Sequence, residues 1–486
     1  LAGGPSAALA STAITYETRA LTGTDGPLGP GLGAGVRFSG FESSPVINAA
    51  GQTAFLGSLT GTGVVSSNDR GTWSEGGGSG LALVAREGSQ APGTAAGVNF
   101  SLLRRSPVLN GAGQTAFVGY LTGTGVGGSN DTGIWTEGSG SGLALVAREG
   151  SPAPGTAVGV NFSNLDTGFP PVLNNAGQIA FRGSLTGTGV SSSNDSGIWS
   201  EGGGSGLALV AREGSQAPGL DAGVNFSGFS SPVLNAAGQT AFLGLLTGTG
   251  VTDSNDTSIW SEGGGSGLVL VAREGSKAPG TESGVSFSGF NSLPLLNGAG
   301  QTAFVGTLTG TGVSNPNLRG IWSEGGGSGL ALVARAGSKA PGTGAGVNFA
   351  SNFDKLVLND AGQTAFLAGL TGSGVTGSNY GGLWATDLDG LLHLIVREGD
   401  LFDVDPDPLI DDLRTIRFVG LAATNSFEND GLGTGFNDAG QLAFSLSFTD
   451  GSQGIFVATI PEPASLAKLG LAGLALRRRR GRGTAR

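Results

Sequence analysis

Cysteine and methionine are both absent from the 486 residues, and histidine occurs once, as His393. Without cysteine there is no disulfide framework, no thiol nucleophile and no thiolate metal site, and the redox compartment is left open. His393 stands in the alternating run LLHLIV with no nucleophile motif beside it, so a Ser-His-Asp relay finds no support and a packed or edge histidine is expected. Positive charge is also scarce outside the C-terminus. Seven of the 25 Lys and Arg, but only Glu462 of the 36 Asp and Glu, lie from Pro461 onward, leaving 18 basic against 35 acidic residues in the rest. Such a body repels phosphate, so nucleic acid and anionic lipid are poor partners. No stretch carries apolar residues at sustained helical spacing, and the GTGV runs lack the Lys and the helix of a phosphate loop.

What the chain has in abundance is glycine, 95 residues, and repetition. A phrase Asn-x-x-Gly-Gln-x-Ala-Phe begins at Asn48, Asn110, Asn174, Asn235, Asn297, Asn359 and Asn437. Successive copies are 61 to 64 residues apart, except for a final gap of 78 that holds the acidic stretch LFDVDPDPLIDDLRT. A fixed period of this size signals a solenoid, a propeller or an array. In the unit from Pro232 to Phe290, four strand-length runs are separated by turn residues: QTAFLGLLTG, SIWSEGG, GLVLVAREG and GVSFSGF. One such meander cannot bury both faces, so neighbouring units must stack and share a core. Residues 14–41 align with the third and fourth runs of a unit, and residues 437–460 supply a first and second run. Six whole units and one shared between the ends predict a seven-bladed, all-β propeller of four-stranded blades closed by half-blades. The alternative is an open β-solenoid. The expected organisation is a signal-peptide remnant or flexible N-terminus over 1–13, with Ala8-Leu9-Ala10 resembling a cleavage site, a repeat domain over 14–460, and a tail over 461–486.

The tail reads PEPASLAKLGLAGLALRRRRGRGTAR. An apolar run followed by arginines has the form of a stop-transfer element. It resembles the PEP-CTERM sorting signal of Gram-negative, exopolysaccharide-producing bacteria, with Pro461, Glu462 and Pro463 as the motif. The resemblance implies processing by an exosortase, transient membrane association through the tail, and delivery to the cell surface or matrix. The apolar run from Ala464 to Leu476 is 13 residues and contains Lys468, shorter than the roughly 20 needed to span a bilayer. The body resembles the tandem-repeat family named for its NxxGxxAF motif, over residues 48–456, and that family implies architecture and location without an assigned chemistry.

Several recurring residues are candidates for a site. Each motif Asn is expected to open an Asx or type I turn, with the Gly at positive φ. Trp73, Trp135, Trp199, Trp260, Trp322 and Trp384, with Phe456 in the seventh place, are expected in the core between blades, the functional alternative being a ring that stacks on sugars. Arg86, Arg148, Arg212, Arg273, Arg335 and Arg397 recur at the end of the third run. Glu75, Glu137, Glu201, Glu262 and Glu324, two residues after a Trp, are their expected partners in blade-locking ion pairs; the alternative is a ring of arginines binding an anionic glycan. Asp403, Asp405, Asp407, Asp411 and Asp412 are weak calcium candidates whose spacing matches no EF-hand. The Ser-Asn-Asp turns near Asn68, Asn130, Asn194 and Asn255 read as hairpin punctuation. The expectation is an exported structural or binding protein, with exopolysaccharide as a partner. The alternative is a propeller enzyme acting on glycan through carboxylates, its site sought in the one irregular unit, which holds His393 and the acidic insertion.

Overall fold

The computed structural model describes all residues except 1–17, 24–27, 43–44, 49, 167, 169, 291, 406–410, 422–435 and 461–486. The first sheet shows how the repeat folds. It is formed by β1 (Val36–Phe41), β2 (Val46–Ile47), β3 (Thr53–Gly61), β4 (Arg70–Ser74) and β5 (Ala82–Arg86), in the order β1-β3-β4-β5 with β2 pairing the start of β3. All the pairings are antiparallel. The same arrangement recurs in the next four sheets; in the sixth, the counterparts of β1 and β2 have fused into one strand, Val347–Leu358. The seventh sheet contains Leu401–Asp403, Leu413–Leu421, Gln441–Phe448 and Gln453–Thr459. No α-helix occurs among the described residues, and a single 3-10 turn spans Asn315–Asn317. The described residues form seven all-β, antiparallel blades stacked in propeller fashion, each on the next, as the repeat count implies.

The boundaries of the unit differ from the sequence expectation. The run GVSFSGF, read as the fourth strand of its unit, opens the following sheet, where Val285–Phe290 pairs with Thr302–Gly310. A new blade therefore begins after each Arg-Glu-Gly. The physical reason is the connection between them: Gly275 N donates to the Phe287 carbonyl and Phe287 N to the Ser276 carbonyl, a hairpin that carries the chain across to the next sheet. The 78-residue gap lengthens this same hairpin, since Leu401–Asp403 pairs with Leu413–Thr415. Of the expected N-terminal half-blade, 14–41, residues 14–17 and 24–27 lie outside the described residues, and its last run, Val36–Phe41, opens the first sheet. Of the part that is described, Arg19 donates to Glu75 in the first sheet and the Pro30 carbonyl accepts from Trp73 Nε1.

Apolar packing lies between blades as well as within them. Leu56 and Ala85 of the first sheet and Ala91 of the connection share one cluster with Phe100, Phe117 and Trp135 of the second. Each tryptophan of the first six sheets is fully buried, with an edge-on phenylalanine such as Phe100, whose ring centroid is 4.8 Å from that of Trp135. Burying a side chain of this size is worth about 1.5–3 kcal/mol, so the blades hold together through their shared cores.

Candidate functional site

The eight-residue phrase builds the joint between blades. Asn48 Oδ1 accepts from the amides of Ala50 and Gln52, which fixes the turn, and Gly51 sits at φ 76°. Asn48 Nδ2 donates to Gln52 Oε1 and, across the joint, to the Asn110 carbonyl at 2.9 Å. The same inter-blade bond runs from Asn110 to Asn174, to Asn235, to Asn297, to Asn359 and to Asn437, at 2.8 to 2.9 Å. The glutamine amide reaches the other way, from Gln52 Nε2 to the Glu75 and Gly76 carbonyls. Glycine is required here by space. A Cβ on Gly76 would lie 1.7 Å from the Gly113 oxygen, and the same approach pairs Gly202 with Gly238 and Gly263 with Gly300. The local turn was legible in the sequence; the bond to the next blade was not.

The arginines take partners other than the expected ones. Arg86 Nε donates to the Asn68 carbonyl at 2.8 Å, and Arg148, Arg212, Arg273, Arg335 and Arg397 do the same to Asn130, Asn194, Asn255, Asn317 and Asn379. Glu75, Glu137, Glu262 and Glu324 instead accept from the amide and hydroxyl of Thr53, Thr115, Thr240 and Thr302, and Glu201 from the Ile179 amide. They sit at the opposite end of their strands from the arginines: Glu75 follows Ser74 at the end of β4, whereas Arg86 pairs with Gly71 near its start. The Asn68 side chain closes its own turn through Val65 N and the Gly63 carbonyl, as hairpin punctuation should.

This places Arg86 and Arg212 in open clefts at their joints. One cleft, of about 690 Å³, is lined by Asn68, Arg86, Glu87, Ser89, Asn99 and Thr122 among others. A second, of about 430 Å³, carries the equivalent residues Asn194, Arg212, Glu213, Ser215, Asn225 and Thr247. Glu87, Glu149, Glu213 and Glu274, which follow the first four arginines, are buried. Burial pushes Glu87 up to about 7, against a lowering bond from the Leu103 amide, with Asp69 adding to the rise. Glu149 rises to about 7 through burial and then Asp131; Glu213 and Glu274 rise for the same reason beside Asp195 and Asp256. Behind each of these two guanidinium groups, therefore, stands a buried glutamate with an acidic neighbour. Sequence reasoning missed these pairs, though a signal was present: where Leu318 replaces the Asp, Ala336 replaces the Glu.

The irregular sixth sheet holds a pocket of its own, about 190 Å³, lined by Asn352, Asp354, Tyr380 and Glu398. Tyr380 takes the place of the Asp, its hydroxyl bonding Asn352 Oδ1 at 2.8 Å, and Glu398 accepts from the Gly381 amide. Lys355, next to Asp354, is the one non-glycine residue described at positive φ, 52°. His393 lies on the edge strand Leu392–Arg397 with Nε2 at 2.9 Å from Asp387 Oδ2. In the insertion, Asp403 Oδ1 accepts from the amides of Asp405 and Asp412, and the Asp412 carboxylate pairs with Arg414. Asp407 lies outside the described residues, and among the described residues no three acidic or histidine side chains form a metal-holding group. The tryptophans, fully buried, offer no face to a sugar. Phe456 is half-buried against Phe402, Phe444 and Phe448. Pro461, Glu462 and Pro463 fall outside the described residues, and no described helix is long and apolar enough to cross a membrane.

No curated protein is significantly similar to this chain. Among solved structures it is similar to "The GH43, Beta 1,3 Galactosidase, BT0265", with 9% identity, 88% of this chain and 93% of that one covered, and a TM-score of 0.24. At that score the blade count and the site rest on this chain's own residues. A family model matches residues 15–467, and the chain belongs to that family, described as a family of unknown function, DUF7453.

Proposed function

We propose that this is an exported surface or matrix protein that binds an acidic polysaccharide through the clefts between its blades. The observation that carries the reading is the repetition of one polar cleft, with an arginine tethered by Nε to an asparagine carbonyl, at the first and third joints. A guanidinium held by one nitrogen keeps its remaining donors for carboxylate or sulfate groups, and neighbouring Ser, Asn and Thr side chains suit sugar hydroxyls. A polymer meeting several equal, weak sites gains avidity over any one of them. In this reading the Pro461-Glu462-Pro463 tail directs export through an exosortase. The test is affinity electrophoresis in gels containing alginate or neutral dextran. Alginate should retard the protein and dextran should not, with the effect weakened by salt and by the pair Arg86→Gln and Arg212→Gln. Equal mobility in both gels at low salt contradicts the reading.

One observation favours a second reading, a glycan-acting enzyme. The pocket of the sixth sheet departs from the repeat and brings Asp354 and Glu398 to one cavity beside Tyr380. Release of reducing ends from a polysaccharide, lost in Glu398→Gln, supports it; no release from a panel of matrix glycans sinks it.

A further inference from the structure

The chain of joints has two ends, and each end carries half of a joint. In the second to sixth sheets the residue before the tryptophan, Ile134, Ile198, Ile259, Ile321 and Leu383, is 0% exposed, because the next sheet covers it. Its counterpart in the seventh sheet, Ile455, is 77% exposed, and Val457 beside it is 62% exposed. Ala443 is half-exposed where Ala180, Ala241 and Ala303 are fully buried. The first sheet shows the complementary deficit. Ile47 is 62% exposed, whereas Leu109, Leu173, Leu234 and Leu296 are at most 3% exposed. Those leucines pack back onto the preceding sheet, as Leu234 does with Val172 and Ala180. The hydrogen bonds agree: Asn437 Nδ2 donates to Gln441 Oε1 as its fellows do, and the series of bonds to a following asparagine carbonyl stops there.

We propose that the seventh sheet of one molecule receives the first sheet of a second copy, rebuilding the joint that recurs six times inside the chain. The exposed apolar strip of Ile455, Val457 and Ala443 is the surface that every other blade covers with the next blade's first strands, and Ile47 is the residue that does the covering. Among the described residues of one molecule these two surfaces do not meet, as their exposure shows, and each supplies the half-joint that the other lacks, so the occupant is a second copy, which carries both halves. The contact is head-to-tail and leaves a free half-joint at each end of a dimer, so growth continues until a ring of molecules closes. In the bond series, Asn437 Nδ2 takes the partner subunit's Asn48 carbonyl as acceptor. For a matrix protein this supplies a lattice without a second component. The inference rests on the fold and is independent of glycan binding.

The absence of cysteine makes the test direct. Single variants Ile47→Cys and Ala443→Cys correspond to Leu234 and Ala180, which share a cluster across an existing joint. Mixed and oxidised, the two should give a covalent dimer in non-reducing electrophoresis, while each alone gives none above background. In sedimentation, the unmodified protein should show concentration-dependent association. Ile455→Glu should abolish it with an unchanged far-ultraviolet dichroism spectrum. Two results overturn the proposal: a wild-type protein that stays monomeric at all concentrations, or a double Cys variant that yields only an internally linked monomer. The second outcome places the ends together in one closed molecule.

Discussion

At the scale of single residues, the strongest constraint is contact between backbones. Gly202 has no positive φ, yet its Cβ would fall 1.6 Å from the Gly238 oxygen, whereas a Cβ on the adjacent Gly203 meets nothing within 4 Å. Gly202→Ala is therefore expected to destabilise by about 3 kcal/mol or more, the range of severe overpacking, while Gly203→Ala stays within roughly 0.5 kcal/mol. Chemical denaturation of the two variants checks this. Similar logic separates the asparagines. Asn235 is buried and holds both its own turn and the Asn297 carbonyl, so Asn235→Ala should cost about 2–4 kcal/mol by leaving buried groups unpaired. Asn437 is exposed and has no following carbonyl, so Asn437→Ala should cost about 1 kcal/mol or less.

Within the elements, one blade departs from its neighbours for a reason visible in one side chain. Five of the six tryptophan-bearing sheets carry glycine two residues before the tryptophan, and at Gly197 a Cβ would press within 2.8 Å of the Trp199 ring. The fourth sheet has Ser258 there. Its hydroxyl accepts from Trp260 Nε1, which elsewhere donates to a proline carbonyl of the preceding connection, as Trp199 does to Pro154. Ser258→Gly should turn the Trp260 ring back toward that carbonyl, read as a shift of one indole N–H resonance; an unmoved resonance contradicts it. The buried glutamates act at the same scale. Their pKa values lie above the ordinary 4.5 in the folded chain, so the stability they contribute is complete below about pH 4.5 and is lost as pH rises through about 7. Thermal scans should show the melting temperature falling between pH 5 and 8, with a flatter profile in the pair Glu87→Gln and Glu149→Gln.

These elements also show what the sequence could and could not reveal. Four strands per unit, the turn at each motif Asn and the buried tryptophans were legible because alternation, turn residues and period act locally. The starting point of a blade was not, since any of four strands can open a cyclic pattern. The arginine partner was missed because the expectation matched charge with charge, whereas the fold sets Arg86 and Glu75 at opposite ends of β4 and offers the guanidinium a backbone carbonyl. The Asp69–Glu87 pair went unseen because two acidic residues 18 positions apart give no local pattern. Only the simultaneous loss at Leu318 and Ala336 betrays the pairing.

In the molecule as a whole, seven blades are held in series by six joints that share one asparagine bond, and among the described residues half a joint is uncovered at each end. Stability in such a series is a sum of blade and joint terms, so a blade with one joint opens more readily than a blade with two. Hydrogen–deuterium exchange at low protein concentration reads this directly, peptide by peptide. The slowest exchange is predicted in the third and fourth sheets, residues 160–273, and the fastest strand exchange in the first and seventh, with protection at those two ends rising as concentration rises. Uniform protection across all seven sheets, independent of concentration, would contradict the account, because it would mean that a seventh joint already closes the chain upon itself.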